Sequence, residues 1–409
     1  SKTAARAPLT PLGDALAKVP AELPHLTDTE VLPLRNARGR VLAEAVCSTI
    51  SVPPHDNSAM DGYAVRAADI QSVPVELPVA QRIAAGQVGE PLLPGTAARI
   101  FTGAPLPPGA DAVVMQENTE AAANSVRILQ AAVAGENLRA AGEDVSSGAR
   151  LFDTGRRLQP QDIGVLASAG IETVSVVRKP RVALLATGDE IVQPGTALQP
   201  GQVYNANAFA LFTLLQGFGA EVEDFGIVRD SPSATRELLA KAAADCDVVI
   251  STGGVSVGEE DHVKAAVEEN GHLDLWKLAI KPGKPLASGK LAGKQFFGLP
   301  GNPVSAFVTC LLMVRPALLA MQGAVQLAPP VTVVQAGFDR PATGDRQEYL
   351  RVSLAGSESL SPEVVPFDNQ SSGVGASLSA ADGLAIIPPN TAVHRGDRLN
   401  YLPFLGILN

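Results

Sequence analysis

The sequence predicts a multidomain α/β and β fold: a central doubly wound parallel-sheet domain, an N-terminal mixed domain that is β-rich with some helix, and a C-terminal small β-barrel. Three observations predict it. Between Arg181 and about Gly323, apolar runs alternate with amphipathic segments, the rhythm of βαβ units. Before Lys179 short β-like runs sit between Pro and Gly turns, and after Pro329 the alternation has period two. Gly 38 and Pro 32 among 409 residues, with 18% charged, favour short strands and shaped loops over long bundles.

In order along the chain, Val73 to Val79 and Asp111 to Gln116 read as strands and Gln161 to Ala169 as a helix. In the middle domain Arg181 to Ala186 reads as a buried strand, followed by a helix from Asn207, a possible N-cap, to Gln216. Val222 to Val228 is the next strand. Ser231 and Pro232 open the helix Arg236 to Ala244, and Asp247 to Ser251 is a fully apolar strand. Asp261 to Glu269 is a helix closed by Asn270 and Gly271; Trp276 to Ile280 and Gln295 to Leu299 are strands. Asn302 and Pro303 start a long apolar helix through Leu319. Val331 to Val334, Tyr349 to Val352 and Leu384 to Ile387 then alternate as antiparallel strands, with turns at Gly344, Asp382-Gly383 and Gly396-Asp397.

Charge narrows the function. A net charge of -10 argues against nucleic-acid or anionic-membrane surfaces, which require a basic stripe. Aromatics at 4% disfavour stacking platforms as the main mode of recognition. Cys47, Cys246 and Cys310 have no metal-ligand spacing and read as reduced, mostly buried thiols. The apolar run Ala306 to Val314, stopped by Arg315 and Pro316, is too short to span a bilayer, and Ser1 to Leu26 is broken by prolines. The expectation is a cytoplasmic protein.

The chemistry should lie beyond the carboxyl ends of the middle strands, where loops of an open parallel sheet converge. Thr187-Gly188-Asp189-Glu190 follows the first strand, Arg229-Asp230-Ser231 the second, and Thr252 to Asp261 the third, with Gly253, Gly254, Ser256 and Gly258. Gly298 to Pro303 follows the last, with Pro300, Gly301, Asn302 and Pro303. Glycines next to helix starts let backbone amides meet a phosphate or carboxylate, although the Gly-Lys-Ser/Thr ending of a Walker loop is absent. Glu190, Asp230 and Asp261, gathered on one edge, would repel without a hard cation such as magnesium. Lys277 and Lys281 share a strand face if that strand continues, a cationic pair for an oxyanion. Scattered histidines give no zinc or triad pattern. The stretch SVPPHDNSAMDGYAV, Ser51 to Val65, is dense enough in turn formers and polar groups to be a structured functional loop around Asp61.

These motifs carry a likeness to a known family. DNSAMDGYAV (Asp56 to Val65), RIFTGAPLPPGADAVV (Arg99 to Val114), GEDV (Gly142 to Val145), ATGDE (Ala186 to Glu190), STGGVSVGEED (Ser251 to Asp261), KLAIKPGKP (Lys277 to Pro285) and GLPGNPVS (Gly298 to Ser305) occur in order over nearly the whole chain. The chain thereby resembles the molybdopterin molybdenumtransferases, the MoeA-type enzymes, and the matching domain of gephyrin-like proteins. The resemblance implies that adenylyl-molybdopterin and molybdate give molybdenum cofactor and AMP, with Mg²⁺. It also implies a homodimer with a cleft shared between subunits, and partners in the preceding adenylyltransferase and the molybdoenzyme acceptors. The alternatives are a non-catalytic gephyrin-like scaffold or molybdopterin adenylylation.

The resemblance further implies four domains: a linker and dimerisation domain (1-28, 47-55, 144-179), a β-rich insertion (29-46, 56-143), a molybdopterin-binding α/β domain (180-328) and a barrel (329-409). By likeness, Asp61, Thr102 and Asp144 are cleft residues of the N-terminal side, and Glu190, Asp230, Asp261, Lys277, Lys281, Pro300 and Pro303 of the middle domain. Arg351 and a serine near Ser371 or Ser372 would come from the barrel. Ser231 stands where many relatives have a second acid.

Overall fold

A computed structural model describes residues 9–228, 231–253, 262–342, 344–355 and 362–408. Its centre is a six-stranded sheet in the order Glu221–Val228, Arg181–Thr187, Val248–Thr252, Lys294–Leu299, Pro285–Leu291, Gly271–Lys277. The first four strands are parallel and the last two run antiparallel to their neighbours. Helices cover both faces. Leu211, Leu214 and Leu215 of the helix Ala206–Gly217 pack with the helix beginning at Pro303 against Val182, Leu184, Ile250 and Phe297. On the other face Leu239, Ala242, Val263 and Val267 meet Ala183, Leu185, Val249 and Phe296. Burial on both sides explains why these strands read as continuous apolar runs. Each fully buried Leu, Val or Phe contributes about 1.5–3 kcal/mol to holding the layers together.

One strand of this domain has no counterpart in the sequence reading, and one expectation changes. Pro285–Leu291, with Gly289 and Lys290 inside it, carries no clear strand pattern, yet it pairs with Lys294–Leu299 through a tight turn at Ala292-Gly293. The strand expected over Trp276 to Ile280 ends at Lys277, because Leu278 N–H donates to Lys284 O and Ala279 N–H to Thr10 O. Ile280–Lys281 instead pairs with Gln347–Glu348 of the C-terminal domain. Lys277 and Lys281 therefore do not share one strand face.

The helix from Pro303 to Met321 relaxes into a π-helical turn at Cys310–Val314, which accommodates Pro316 just beyond it. The helix has 19 residues and an 18-residue stretch of it has a mean hydropathy of 1.9, so length and composition would allow a bilayer crossing, unlike the shorter run Ala306 to Val314 read from the sequence. It is 94% buried inside the protein and is a core helix. Cys246 and Cys310 are buried thiols, in keeping with the mostly buried expectation, and burial raises both above the usual thiol range; Cys47 is exposed.

The insertion forms its own six-stranded sheet, in the order Ala112–Met115, Gly62–Val65, Ala97–Ile100, Val75–Ile83, Ser125–Ile128, Thr119–Ala121. The segment 29–46, which the resemblance assigned to the insertion, pairs and packs with residues outside it. Thr29–Pro33 pairs with Thr173–Val177, and Leu34, Ala37 and Leu42 share a core with Leu158, Leu166 and Val174. Long-range pairing decides this, and no local pattern encodes it. In the C-terminal domain, strands Gln347–Ala355, Glu363–Pro366, Thr332–Ala336, Arg398–Pro403 and Gly383–Ile387 close on one another as a five-stranded barrel.

Candidate active site

A cleft of about 920 Å³ opens at the carboxyl edge of the central sheet. It brings together Thr187, Gly188 and Glu190 after the first strand, Thr252 and Gly253 after the third, and Gly301, Asn302 and Pro303 after the last. Thr252 is buried, while Glu190, Gly301 and Asn302 are exposed to the cleft. Gly253 has φ +78, and a Cβ there would stand 2.8 Å from the carbonyl oxygen of Thr187, so only glycine lets the two strand ends approach. Asp230, Gly254, Ser256, Gly258 and Asp261 lie outside the described residues.

The wall opposite these loops is a ribbon in which Ile191–Val192 pairs with Val203–Tyr204. Val203 N–H donates to Glu190 O at 2.8 Å, and the ribbon leads into the helix Ala206–Gly217. The cap of this helix is Asn205, whose Oδ1 accepts from Ala208 N–H at 3.2 Å. Asn207, the cap expected from sequence, has another partner: its Nδ2 donates to Gly301 O at 2.7 Å and ties the helix start to the last loop.

The barrel supplies part of the rim. Arg351 is 1% exposed; its Nε donates to Ser377 Oγ at 2.9 Å and its second terminal nitrogen to Ser371 O at 3.1 Å. Desolvation lowers its pKa from the usual arginine range. The guanidinium thus holds the loop carrying Ser371, whose side chain is exposed, and does not reach into the cleft. Ser372 O accepts the Val304 N–H at 3.1 Å, Gly373 lines the cleft, and Pro300 is buried behind it. The helix at Pro303 therefore offers fewer free amides than its sequence suggests.

Lys277 stands at the same edge but farther along, whereas Lys281 lies on a strand of the barrel sheet. Lys277 ends its strand opposite Pro285, two strands beyond Leu299, a spacing of roughly 10 Å. Lys281 Nζ donates to Glu348 Oε1 at 2.8 Å, and Arg340 Nε reaches Glu348 Oε2 at 2.9 Å. Glu348 is 1% exposed, so Lys281 serves an ion pair between the central domain and the barrel in this conformation.

A second constellation sits on the insertion. Thr102 donates from both N–H and Oγ1 to Asp61 Oδ1, at 2.8 and 2.9 Å. These two bonds, aided by the Arg99 charge, hold the Asp61 carboxyl below the usual carboxylate range. Arg99 was not singled out from sequence. It donates to Gly62 O at 2.9 Å and stacks between the Tyr63 and Phe101 rings at 5.1 and 4.6 Å. The signal was present in the Arg99-Ile100-Phe101 alternation opposite Tyr63. Asp144 is exposed, with its N–H on Val52 O. Among the described residues no hydrogen bond or ion pair joins this constellation to the cleft.

Among the described residues no three His, Cys, Asp or Glu side chains form a ready metal cage. Glu190 nonetheless suits magnesium, which takes one or two carboxylates and keeps water and phosphate oxygens for its other positions. Its carboxylate lies over Gly188 and adjoins the cleft: a Cβ on Gly188 would come within 2.6 Å of Glu190 Oε2.

Three family models match the chain: the MoeA N-terminal region (domain I and II) over residues 10–170, a probable molybdopterin binding domain over 183–320, and the MoeA C-terminal region (domain IV) over 333–404. The chain is 43% identical to a molybdopterin molybdenumtransferase of Haemophilus influenzae, over 78% of this chain and 79% of the relative. It is 40% identical to one from Nostoc, over 88% of this chain and 85% of the relative. A crystal structure of the molybdopterin biosynthesis moeA protein of Pyrococcus horikoshii is similar at TM-score 0.82 and 31% identity, with 97% of this chain and 100% of that one covered. A full set of domain matches and relatives at this identity places the chain in the molybdopterin molybdenumtransferase (MoeA) family.

Proposed function

We propose that the chain catalyses molybdenum insertion in molybdenum cofactor biosynthesis, turning adenylyl-molybdopterin and molybdate into molybdenum cofactor and AMP in the cytoplasm. The observation that carries this is the convergence of Thr187, Gly188, Glu190, Thr252, Gly253 and Gly301 on one cleft large enough for a pterin joined to a nucleotide. The Thr252-Gly253 strand end presents backbone to a phosphate at close range, and the ribbon with Tyr204 forms part of the same lining. Lys277 at the same edge attracts the molybdate dianion. Glu190 would hold Mg²⁺, which would supply charge neutralisation at the phosphoanhydride.

A homodimer completes the site. Asp61 and Thr102 form an anionic, hydrogen-bonded unit without ties, among the described residues, to the cleft of their own chain, which suits a contribution to the cleft of a partner subunit. The test is to incubate the protein with adenylyl-molybdopterin, Mg²⁺ and molybdate while following AMP release and cofactor activity together. Both products should appear and both should fall on chelation of Mg²⁺; intact substrate in the complete mixture overturns the assignment.

A further inference from the structure

The helix Ala206–Gly217 starts at the cleft, and its start is better furnished with donors than the one at Pro303. Pro303 has no N–H and Val304 N–H is used by Ser372 O. By contrast, Ala206 and Asn207 occupy the first turn, where amides have no acceptor within the helix and the helix carries its positive end. Asn205 precedes them, 2% exposed in the cleft wall. Its Oδ1 is committed to Ala208 N–H, which fixes which way the planar amide faces. Its Nδ2, the other end of that amide, is buried without a hydrogen-bond partner. A flipped amide would set donor against donor at Ala208, so the orphan cannot be relieved by rotation. Burying such a donor unpaired costs about 1–3 kcal/mol, and an incoming acceptor recovers it. The bond from Asn207 Nδ2 to Gly301 O holds this helix start in place against the last loop.

We propose that Asn205 Nδ2 and the amides of Ala206 and Asn207 form a phosphate-oxygen subsite, which binds a non-bridging oxygen of the substrate's phosphates. The proposal rests on the phosphoanhydride substrate of the preceding section and gives its two phosphates separate seats, one at Gly253 and one here. All three donors are neutral, so the subsite grips a phosphate without adding a cation that would hold AMP after the anhydride breaks.

The test uses the full chain and three probes: AMP, adenosine and inorganic phosphate, titrated calorimetrically against wild type, Asn205→Asp and Asn205→Ser. Both replacements keep a capping oxygen for Ala208, so the unfolding temperature should stay within a few degrees of wild type. AMP or phosphate should bind at least tenfold more weakly to Asn205→Asp and several-fold more weakly to Asn205→Ser, with adenosine unaffected. Inorganic phosphate displacing AMP assigns the subsite to the nucleotide's phosphate; phosphate binding alongside AMP assigns it to the pterin's. Wild-type affinity for both anions in Asn205→Asp, or no binding of either anion to wild type, overturns the proposal. Turnover measured in parallel separates the failures: a wild type that turns over beside an Asn205→Asp of unchanged affinity sinks the subsite alone, whereas no turnover by wild type sinks the proposed reaction and leaves the titrations to judge the subsite.

Discussion

Asp61 shows how much one carboxylate depends on its neighbours. Two donors from Thr102 favour its charged form, so its pKa lies below the ordinary value of 3.8. With a folded-state pKa below the unfolded one, its contribution is fully present above the ordinary carboxylate range and is lost as pH falls through the lowered value. Thr102→Val keeps the backbone donor and removes the hydroxyl, so the Asp61 pKa should rise toward normal in a carboxyl-carbon NMR titration, and the acid limb of turnover should move up with it. An unchanged titration would show that the backbone amide alone sets the charge. DNSAMDGYAV pointed to Asp61 in the sequence; its pairing with Thr102, 41 residues away, needed the Gly62–Val65 and Ala97–Ile100 strands to lie side by side.

At the scale of the element, the segment from Asn369 to Ser377 is held by Arg351, which projects from a barrel strand on the face opposite the core residues Leu350 and Val352. Three carbonyl and hydroxyl oxygens accept from one buried guanidinium: Ser377 Oγ, Ser371 O and Asn369 O. Arg351→Ala should lower unfolding free energy by about 2–4 kcal/mol, because it leaves buried acceptors unpaired and a void behind them. Arg351→Lys should rescue little, since an ammonium lacks the planar fork. Thermal denaturation measures both. A loss below about 0.5 kcal/mol in Arg351→Ala would mean that the segment is held by its own Asx turn, Ser371 N–H on Asn369 Oδ1, and by Ser377. The sequence supplied the arginine in Glu348-Tyr349-Leu350-Arg351-Val352, but period-two alternation gives only which face it takes, and here that face is closed.

For the molecule as a whole, the central domain and the barrel are joined by the Ile280–Lys281 pairing with Gln347–Glu348 and by the buried Glu348 between Lys281 and Arg340. Removing that anion leaves two cations facing one another, partly relieved because Lys281 is 43% and Arg340 25% exposed. Glu348→Ala should therefore cost about 2–3 kcal/mol, below the range for a fully buried pair, and Glu348→Gln less. Denaturant unfolding reads it, and an unchanged midpoint would show that strand pairing alone docks the barrel.

The sequence by itself determined most of the order of strands and helices in the middle domain, loops that line its cleft, and the family. Those features are local: apolar period, glycine and proline punctuation, and short motifs are fixed within a few residues. Tertiary structure decided the rest. It moved 29–46 into the core with Thr173–Val177, turned Pro285–Leu291 into a strand, separated Lys277 from Lys281, and gave the helix cap to Asn205 while sending Asn207 to Gly301. Three of these depend on a partner distant in sequence, Thr173–Val177 for 29–46, Thr10 for the break after Lys277 and Gly301 for Asn207, and a hydrogen bond to a distant partner leaves no trace in the periodicity of either segment.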